Sequence, residues 1–261
     1  FNRAVQGVYE LGSTLKVFPV AQALDLGLIN PETMINTKSP MQWGKFRIRD
    51  FKNYGPELSA TKVIVKSSNV GTARIALEIG AKRQREFLEQ LGFIAPVHLE
   101  IAEASGSTPL LPKNWSDLST MTISYGLSIS PMHLAAGYAT IANGGRRVTP
   151  TLLRDPTRAP GERIITEATS AAMRRMLRQV VSEGTASLGE VPGYAVGGKT
   201  GTADKPKERG GGYHKDKVIS TFASIFPAHD PKYVLVVTLD EPVETSGSEA
   251  RRTAGWTAVP V

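Results

Sequence analysis

The sequence predicts one domain of the α/β class, of the α+β type, that combines helices with an antiparallel sheet. Apolar residues recur at helical spacing through the first two thirds of the chain, and the last third changes to β-rich segments. The 261 residues contain no internal repeat and no low-complexity linker. A hydrophobic fraction of 41% permits one sizeable core, so we predict a single domain over residues 1–261.

The first two thirds contain the predicted helices. The first stretch begins at Ser13, and Pro19 should kink it or shorten its first turns. Ser59 has the sequence context of a helix N-cap, and the glycine pair Gly144-Gly145 is typical of a helix end. The predicted helices cover about residues 13–27, 59–67, 71–91, 132–143 and 167–183.

Strands dominate the last third. The β-rich segments at 194–203, 218–226 and 233–239 predict an antiparallel meander, with a glycine-rich basic loop at 205–217 between the first two. Earlier in the chain, residues 45–49 alternate in the manner of a short exposed strand. A helix is expected to begin near Ser248 and to be cut short at Val261.

Composition excludes several functional classes. The absence of cysteine rules out thiolate catalysis and cysteine-ligated metals, and the four histidines lack zinc-binding spacing. The net charge of +7 raises the question of nucleic acid. Because the basic residues are spread along the chain and form no known nucleic-acid motif, we expect no nucleic-acid partner. No apolar run is long enough to span a bilayer.

Three short strings carry the chemistry, in this order: Ser13-Thr14-Leu15-Lys16, Ser67-Ser68-Asn69 and Lys199-Thr200-Gly201-Thr202. On a helix, positions i and i+3 share a face, so Lys16 can take the proton of the Ser13 hydroxyl if its amine is neutral. Neutrality near pH 7 requires a pKa shift of about three units from about 10.4. Burial and a second cation could supply that shift, and Lys199 is the candidate cation.

The same spacing occurs again at Ser59-Ala60-Thr61-Lys62. Ser59 follows Pro56-Glu57-Leu58 and opens a helix, so we interpret it as an N-cap rather than a nucleophile. A cap on a buried helix is also an alternative for Ser13 taken alone.

The other two strings have structural alternatives as well. Ser67 and Asn69 could relay a proton and hold a substrate carbonyl, or they could form an ordinary polar helix end. Lys199 with two threonine hydroxyls suits a carboxylate, and Gly201 would leave room for a ligand near the backbone. An edge strand bearing a protective lysine is the other interpretation.

Together the three strings resemble the S-x-x-K, S-D-N and K-T-G signature of serine β-lactamases and penicillin-binding proteins, with Ser-Ser-Asn as the second string, and the chain looks like a penicillin-binding protein transpeptidase domain. The likeness extends over nearly all 261 residues and includes Lys66 to Gly71, Tyr125-Gly126 and Gly198 to Ala203. It is closest to class B members of the cell-division branch, with elongation-specific members as the alternative. It implies a β-lactamase/transpeptidase-like fold, an antiparallel sheet flanked by helices. The first two strands of the family's sheet precede the nucleophile, so we expect a sheet that lacks them.

The resemblance also implies roles for the residues. Ser13 would be acylated by a peptidoglycan stem peptide that ends in D-Ala-D-Ala, or by a β-lactam, with Lys16 as base. Ser67 would shuttle the proton and Asn69 would contact the donor peptide. The carboxylate would lie against Lys199, Thr200, Gly201 and Thr202, and the Ser13 and Thr202 N–H groups would form an oxyanion hole.

The resemblance extends to surroundings and partners. It implies no metal or organic cofactor, a location on the outer face of the bacterial inner membrane with an anchor outside residues 1–261, and partners among other cell-wall synthesis proteins. Two other functions are left open by the residues. A serine β-lactamase is disfavoured because no Leu-Asn pair of the E-x-x-L-N type occurs. A non-catalytic β-lactam sensor or scaffold would need the same site.

Overall fold

The computed structural model describes residues 1–44, 46–106, 108–112, 126–155, 157–207 and 210–261. Within these ranges there are six α-helices and seven strands. The helices are α1 (Val17–Asp25), α2 (Ala60–Lys66), α3 (Asn69–Ile79), α4 (Ala81–Gln90), α5 (Pro131–Ala142) and α6 (Glu167–Glu183). The strands are β1 (Met34–Asn36), β2 (Met41–Trp43), β3 (Phe46–Ile48), β4 (Glu57–Ser59), β5 (Gly197–Pro206), β6 (Tyr213–Phe226) and β7 (Tyr233–Asp240).

The main sheet is the predicted antiparallel meander, with strand order β5-β6-β7 in the described residues. Lys199 on β5 lies opposite Ala223 on β6, and Thr202 lies opposite Ser220. Much of the predicted loop at 205–217 is strand instead, because β5 continues to Pro206 and β6 begins at Tyr213. Because β5 is at one end of this strand order, it is an edge strand of the sheet in the described residues.

Helix α6 packs on β5 and places its apolar face in the core. Met173, Met176, Leu177, Val180 and Val181 recur at helical spacing and are all buried. Helices α1 and α2 pack against the same helix, and the aromatic ring of Phe18 on α1 meets those of Phe93 and Tyr138 edge-on. This core fixes the start of α1 against the sheet.

Two short antiparallel strand pairs lie against α2 and α3. Strand β1 pairs with β4, and β2 pairs with β3. The predicted exposed strand at 45–49 corresponds to β3, whose Arg47 is exposed while Ile48 is buried; Lys45 lies outside the described residues. Ile48 joins Met41, Val70 and Ala73 in a small second core, which attaches the β2–β3 pair to α3.

Two helix predictions are wrong in detail. The stretch predicted over 71–91 is two helices, α3 and α4, separated at Gly80, where the Gln84 side chain donates to the carbonyl of Ala76 at 2.7 Å and satisfies a helix-end acceptor. No helix follows Ser248, since residues 254–258 form turns. The expected shortened last helix is therefore absent from these residues, all of which are described.

The turns after Ser248 have a physical cause. The Ser220 hydroxyl donates to the carbonyl of Arg252 at 2.6 Å, and the N–H of Ala254 donates to Thr202 Oγ1 at 3.0 Å. These bonds to the sheet use backbone groups that a helix would use internally. Ala254 and Ala258 are fully buried there. None of the helices in the described ranges has the length and apolar character needed to cross a bilayer.

Candidate active site

Ser13 lies in a 3-10 helix, Gly12–Lys16, that leads directly into α1. Pro19 lies in the first turn of α1, where its missing N–H costs no helical hydrogen bond. The Tyr138 hydroxyl on α5 donates to the Thr14 carbonyl at 2.9 Å, so a buried aromatic side chain holds this turn in place. Ser13 is half-buried, whereas Thr14 and Lys16 are buried. A 3-10 helix places positions i and i+3 on one face, as required for Ser13 and Lys16.

Two glycines allow the 3-10 helix to lie against the edge strand. Gly12 has a φ of +63°, and a Cβ there would be 2.7 Å from the backbone nitrogen of Thr202. A Cβ on Gly201 would collide with the Leu11 carbonyl and lie 2.9 Å from Thr14 Cγ2. The space that we predicted Gly201 to leave for a ligand is thus filled by this turn. Its contribution is to bring β5 and Ser13 together.

Lys16 is fully buried and faces the second string. Its Nζ lies 2.6 Å from the Ser67 carbonyl oxygen, 2.6 Å from Asn69 Oδ1 and 3.2 Å from Ser67 Oγ. Among the described residues it has no hydrogen bond to Ser13. Burial lowers the pKa of Lys16 to about 7, and the negative charge of Asp50 opposes that change. Burial therefore brings the pKa of Lys16 into the range that a general base near pH 7 requires.

Ser67 presents both of its oxygens to the lysines because of its backbone conformation. It ends α2 in the left-handed region, at φ 60° and ψ 41°. Such a conformation in a residue other than glycine is costly and is often found at functional sites. Ser68 then caps α3, its Oγ accepting from the N–H of Gly71, and Asn69 is the first residue of that helix. The predicted end of a helix near residue 67 is confirmed, and the next helix begins at Asn69 rather than at residue 71.

Lys199 approaches Ser67 from the edge strand. It is fully buried, and its Nζ donates to Ser67 Oγ at 2.9 Å and to the Thr200 carbonyl at 3.0 Å. Burial, together with repulsion from Lys16, holds the pKa of Lys199 well below its ordinary value. Burial is thus the main cause of the low pKa of both amines, and the repulsion between the Lys16 and Lys199 amines acts in the same direction.

The two threonines of the third string lie on the opposite face of β5 from Lys199, as strand alternation requires. Thr200 Oγ1 is 2.7 Å from Thr185 Oγ1, and Thr202 Oγ1 accepts from the Ala254 N–H. Hydrogen bonds therefore join Lys16, Ser67, Asn69 and Lys199, and Ser13 lies on the same 3-10 helix as Lys16. The threonine hydroxyls border the same strand edge from the other side.

Two acidic residues near this cluster were missed by the sequence analysis. Asp50 accepts hydrogen bonds from Ser68 Oγ and the Val70 N–H. Glu10 is 8% exposed, and its Oε1 accepts from the Gly126 N–H and the Tyr213 hydroxyl, each at 3.0 Å. The only sequence signal for Glu10 is its place three residues before Ser13. Tyr125, quoted with Gly126 in the resemblance, lies outside the described residues.

Comparison with known proteins decides the family. The sequence model of the family described as the penicillin-binding protein transpeptidase domain matches residues 1–255 of this chain. The chain belongs to this family. Its fold agrees: the chain is similar to the apo transpeptidase domain of penicillin-binding protein 3 from Burkholderia pseudomallei, with a TM-score of 0.87 and 32% identity over 99% of this chain and 78% of that one.

Curated members of the family are similarly related. A probable peptidoglycan D,D-transpeptidase FtsI of Caulobacter vibrioides is 34% identical over 99% of this chain and 46% of its own length. A probable peptidoglycan D,D-transpeptidase PenA of Neisseria meningitidis is 34% identical over 92% of this chain and 41% of its own length. The chain thus spans less than half the length of these relatives.

A second transpeptidase structure contains a β-lactam. Penicillin-binding protein 3 of Mycobacterium tuberculosis, solved in complex with aztreonam, matches 99% of this chain and 63% of its own with a TM-score of 0.86 and 28% identity. These similarities confirm the predicted family and the α/β transpeptidase fold.

Proposed function

We propose that this chain is a peptidoglycan D,D-transpeptidase domain that cross-links stem peptides through an acyl-enzyme on Ser13 and is acylated there by β-lactams. One observation carries the proposal. The Ser67 hydroxyl lies within hydrogen-bonding distance of two buried amines, those of Lys16 and Lys199, beside the turn that holds Ser13. Such a cluster can move a proton without a metal or an organic cofactor.

In the acylation step, neutral Lys16 takes the proton of Ser13 Oγ as this oxygen bonds to the carbonyl carbon of the penultimate D-Ala. The tetrahedral intermediate then collapses, and the C–N bond to the terminal D-Ala breaks. The proton passes from Lys16 through the Ser67 hydroxyl to the departing amine. Lys16 Nζ lies within hydrogen-bonding distance of the Ser67 carbonyl, of Asn69 Oδ1 and of Ser67 Oγ, so a proton taken up by Lys16 has a direct route to the Ser67 hydroxyl.

In the second step, the amine of another stem peptide attacks the acyl carbon. A new amide forms, the ester bond to Ser13 breaks, and the proton lost by the amine returns to Ser13 Oγ through Lys16. Asn69 would hold Lys16 in place during both steps, because its Oδ1 is bonded to Lys16 Nζ and the residue is half-buried at the first position of α3.

Lys199 and the edge of β5 suit the terminal carboxylate of the substrate. In the described part of the chain no carboxylate lies within ion-pair distance of Lys199, so an incoming anion would be its first charged partner. Thr200 and Thr202 would add hydroxyl groups along the same edge. The close approach of Gly12 to the Thr202 backbone supports an oxyanion hole made of the Ser13 and Thr202 N–H groups.

The biological setting follows from the same proposal. Peptidoglycan lies outside the cytoplasmic membrane, so the domain would act on the extracytoplasmic face. The similarity to proteins named FtsI and PenA supports a class B protein of the cell-division branch, with cell-wall synthesis proteins as partners.

The test is an exchange reaction. The purified chain is incubated with a stem pentapeptide ending in D-Ala-D-Ala and with D-methionine as acceptor, and products are identified by mass spectrometry. We expect release of D-Ala and a stem peptide that ends in D-methionine, both lost in Ser13→Ala. Release of D-Ala with water as the only acceptor would show a hydrolase. Acylation by penicillin without any exchange would show a sensor or scaffold, and either result would overturn the proposal.

A further inference from the structure

Asp50 contacts the second string, Ser67-Ser68-Asn69, through Ser68. It lies on a segment that the sequence analysis did not connect with the site. Strand β3 ends at Ile48, whose side chain is 3% exposed and packs in the small core with Val70 of α3. The N–H of Asp50 donates to Ser39 Oγ at 3.2 Å. Residues 49 and 50 are thereby held against the first turn of α3.

The Asp50 carboxylate binds that first turn with both oxygens. Oδ2 accepts from Ser68 Oγ at 2.8 Å, and Oδ1 accepts from the Val70 N–H at 3.0 Å. The N–H groups of a first helical turn lack partners within the helix, and a negative charge there is favourable. Because Ser68 already caps α3 through Gly71, Asp50 adds a second and charged cap.

The same segment fixes the orientation of Asn69. Its Nδ2 donates to the Arg49 carbonyl at 2.8 Å, so Oδ1 is the atom turned toward Lys16 Nζ, 2.6 Å away. A continuous series of hydrogen bonds thus leads from residues 49 and 50, through the Ser68-Asn69 turn, to Lys16.

We propose that Asp50 is a positioning residue of this site, which holds the Ser68-Asn69 turn in place against Lys16. Its negative charge, held at that turn, also favours the protonated form of Lys16. The inference rests on the proposed function, in which Lys16 must be neutral to act.

The charged and titratable groups that face Lys16 come from each element around it. Lys199 faces it from β5 and repels a charge on Lys16, whereas Asp50 attracts one. Ser67 and Asn69 contribute neutral oxygens, and Tyr138 on α5 donates to the neighbouring Thr14 carbonyl. Asp50 is therefore the negative charge that acts on Lys16 among the described residues, and removing it should make the neutral amine easier to form.

The experiment measures the rate constant of Ser13 acylation by a fluorescent penicillin from pH 5.5 to pH 9. In the unsubstituted chain we expect the rate to fall on the acid side with a midpoint near the Lys16 pKa, about 7. In Asp50→Asn this midpoint should move to lower pH by about 0.5 to 1 unit, since a nearby opposite charge shifts pKa values on this scale. The rate at high pH should fall by less than about tenfold, because Asn keeps one acceptor for the helix turn.

Three further variants make the result specific. Glu57→Gln removes an exposed charge on β4 and should leave the profile unchanged. Ser68→Ala removes a bond to Asp50 and keeps the charge, so it should lower the rate without moving the midpoint. Asp50→Glu also keeps the charge and should retain the midpoint, which gives a second measurement if Asp50→Asn does not fold.

A midpoint that stays in place in Asp50→Asn while the rate falls at every pH would overturn the proposal and leave a purely structural cap. A midpoint that moves in Asp50→Glu as far as in Asp50→Asn would also overturn it. Failure of the proposed function is a separate result, since it is seen in the unsubstituted chain, either as no acylation at Ser13 or as acylation without exchange of the terminal D-Ala.

Discussion

The two S-x-x-K segments of this chain have the same residue types at the same spacing and opposite surroundings. Lys16 is completely buried, and its amine contacts Ser67 and Asn69. The side chain of Lys62 is 39% exposed and forms an ion pair with Glu183 at 2.9 Å. Ser59 caps α2 by accepting from the Lys62 N–H at 3.3 Å, as the sequence predicted.

The S-x-x-K spacing alone therefore places a serine and a lysine close together, but it does not make either residue reactive. Reactivity at the first segment comes from burial, which lowers the pKa of Lys16, and from the edge strand and the Ser67 turn that close around it. The second segment instead has a partly solvated amine that is paired with the Glu183 carboxylate.

The largest expected effect separates the two lysines. Lys16→Met should slow acylation by a penicillin by about 10²- to 10⁴-fold, because no base takes the serine proton. Lys62→Met should change the rate by less than about twofold, since an exposed ion pair contributes little. Stopped-flow or gel-based labelling measures both. Equal losses in the two variants would remove the distinction between the segments.

The pH dependence of acylation should also distinguish Lys16 from Lys62. Because the pKa of Lys16 is about 7, the neutral fraction of its amine falls about tenfold for each pH unit well below that value. The acylation rate should fall in parallel between pH 6.5 and pH 5, and Lys62→Met should show the same profile. A rate that is independent of pH across this range would contradict a neutral Lys16 as base.

Burial of the Lys16 amine should lower the free energy of unfolding at neutral pH. Its pKa is about 7 in the folded chain and about 10.4 when unfolded, so between these values the unfolded chain binds more protons. The free energy of unfolding should therefore rise with pH in this window, with a contribution from Lys16 of about 1.4 kcal/mol per pH unit. The penalty is complete below pH 7 and absent above the unfolded value.

Urea unfolding at pH 7.5 and pH 9.5 measures this slope. Lys16→Met should reduce it, with Lys199 supplying the part that is left, whereas Lys62→Met should preserve it. An unchanged slope in Lys16→Met would show that the amine is not held in a desolvated state.

Sequence reasoning succeeded where local chemistry decides the structure. The Ser59 cap, the α6 periodicity and the meander were all predictable, because each depends on nearby residues. The gathering of Ser13, Lys16, Ser67, Asn69 and Lys199 followed from the family resemblance, and the structure places these residues together.

The remaining features depend on contacts between distant segments. Gly201 looked like space for a ligand, and only the packed structure shows Leu11 and Thr14 in that space. Asp50 reaches α3 because Ile48 is anchored in a small separate core, which no local pattern shows. The turns after Ser248 form because sheet residues take the backbone groups that a helix would need.

The smallest expected effect belongs to the second segment. Ser59→Ala removes the cap of α2 and should lower the free energy of unfolding by about 1 kcal/mol, with no change in the acylation rate. Thermal unfolding beside a penicillin-labelling assay tests both parts. A large loss of labelling in a folded Ser59→Ala variant would give this serine a role in the chemistry.

The most direct test of the central claim is to locate the penicillin adduct. The chain is labelled, digested and mapped by mass spectrometry, in parallel with Ser13→Ala and Ser59→Ala. We predict one adduct, on the peptide that contains Ser13, present in the unsubstituted chain and in Ser59→Ala and absent from Ser13→Ala. An adduct on Ser59, or labelling that persists in Ser13→Ala, would contradict the assignment of the first segment as the reactive one.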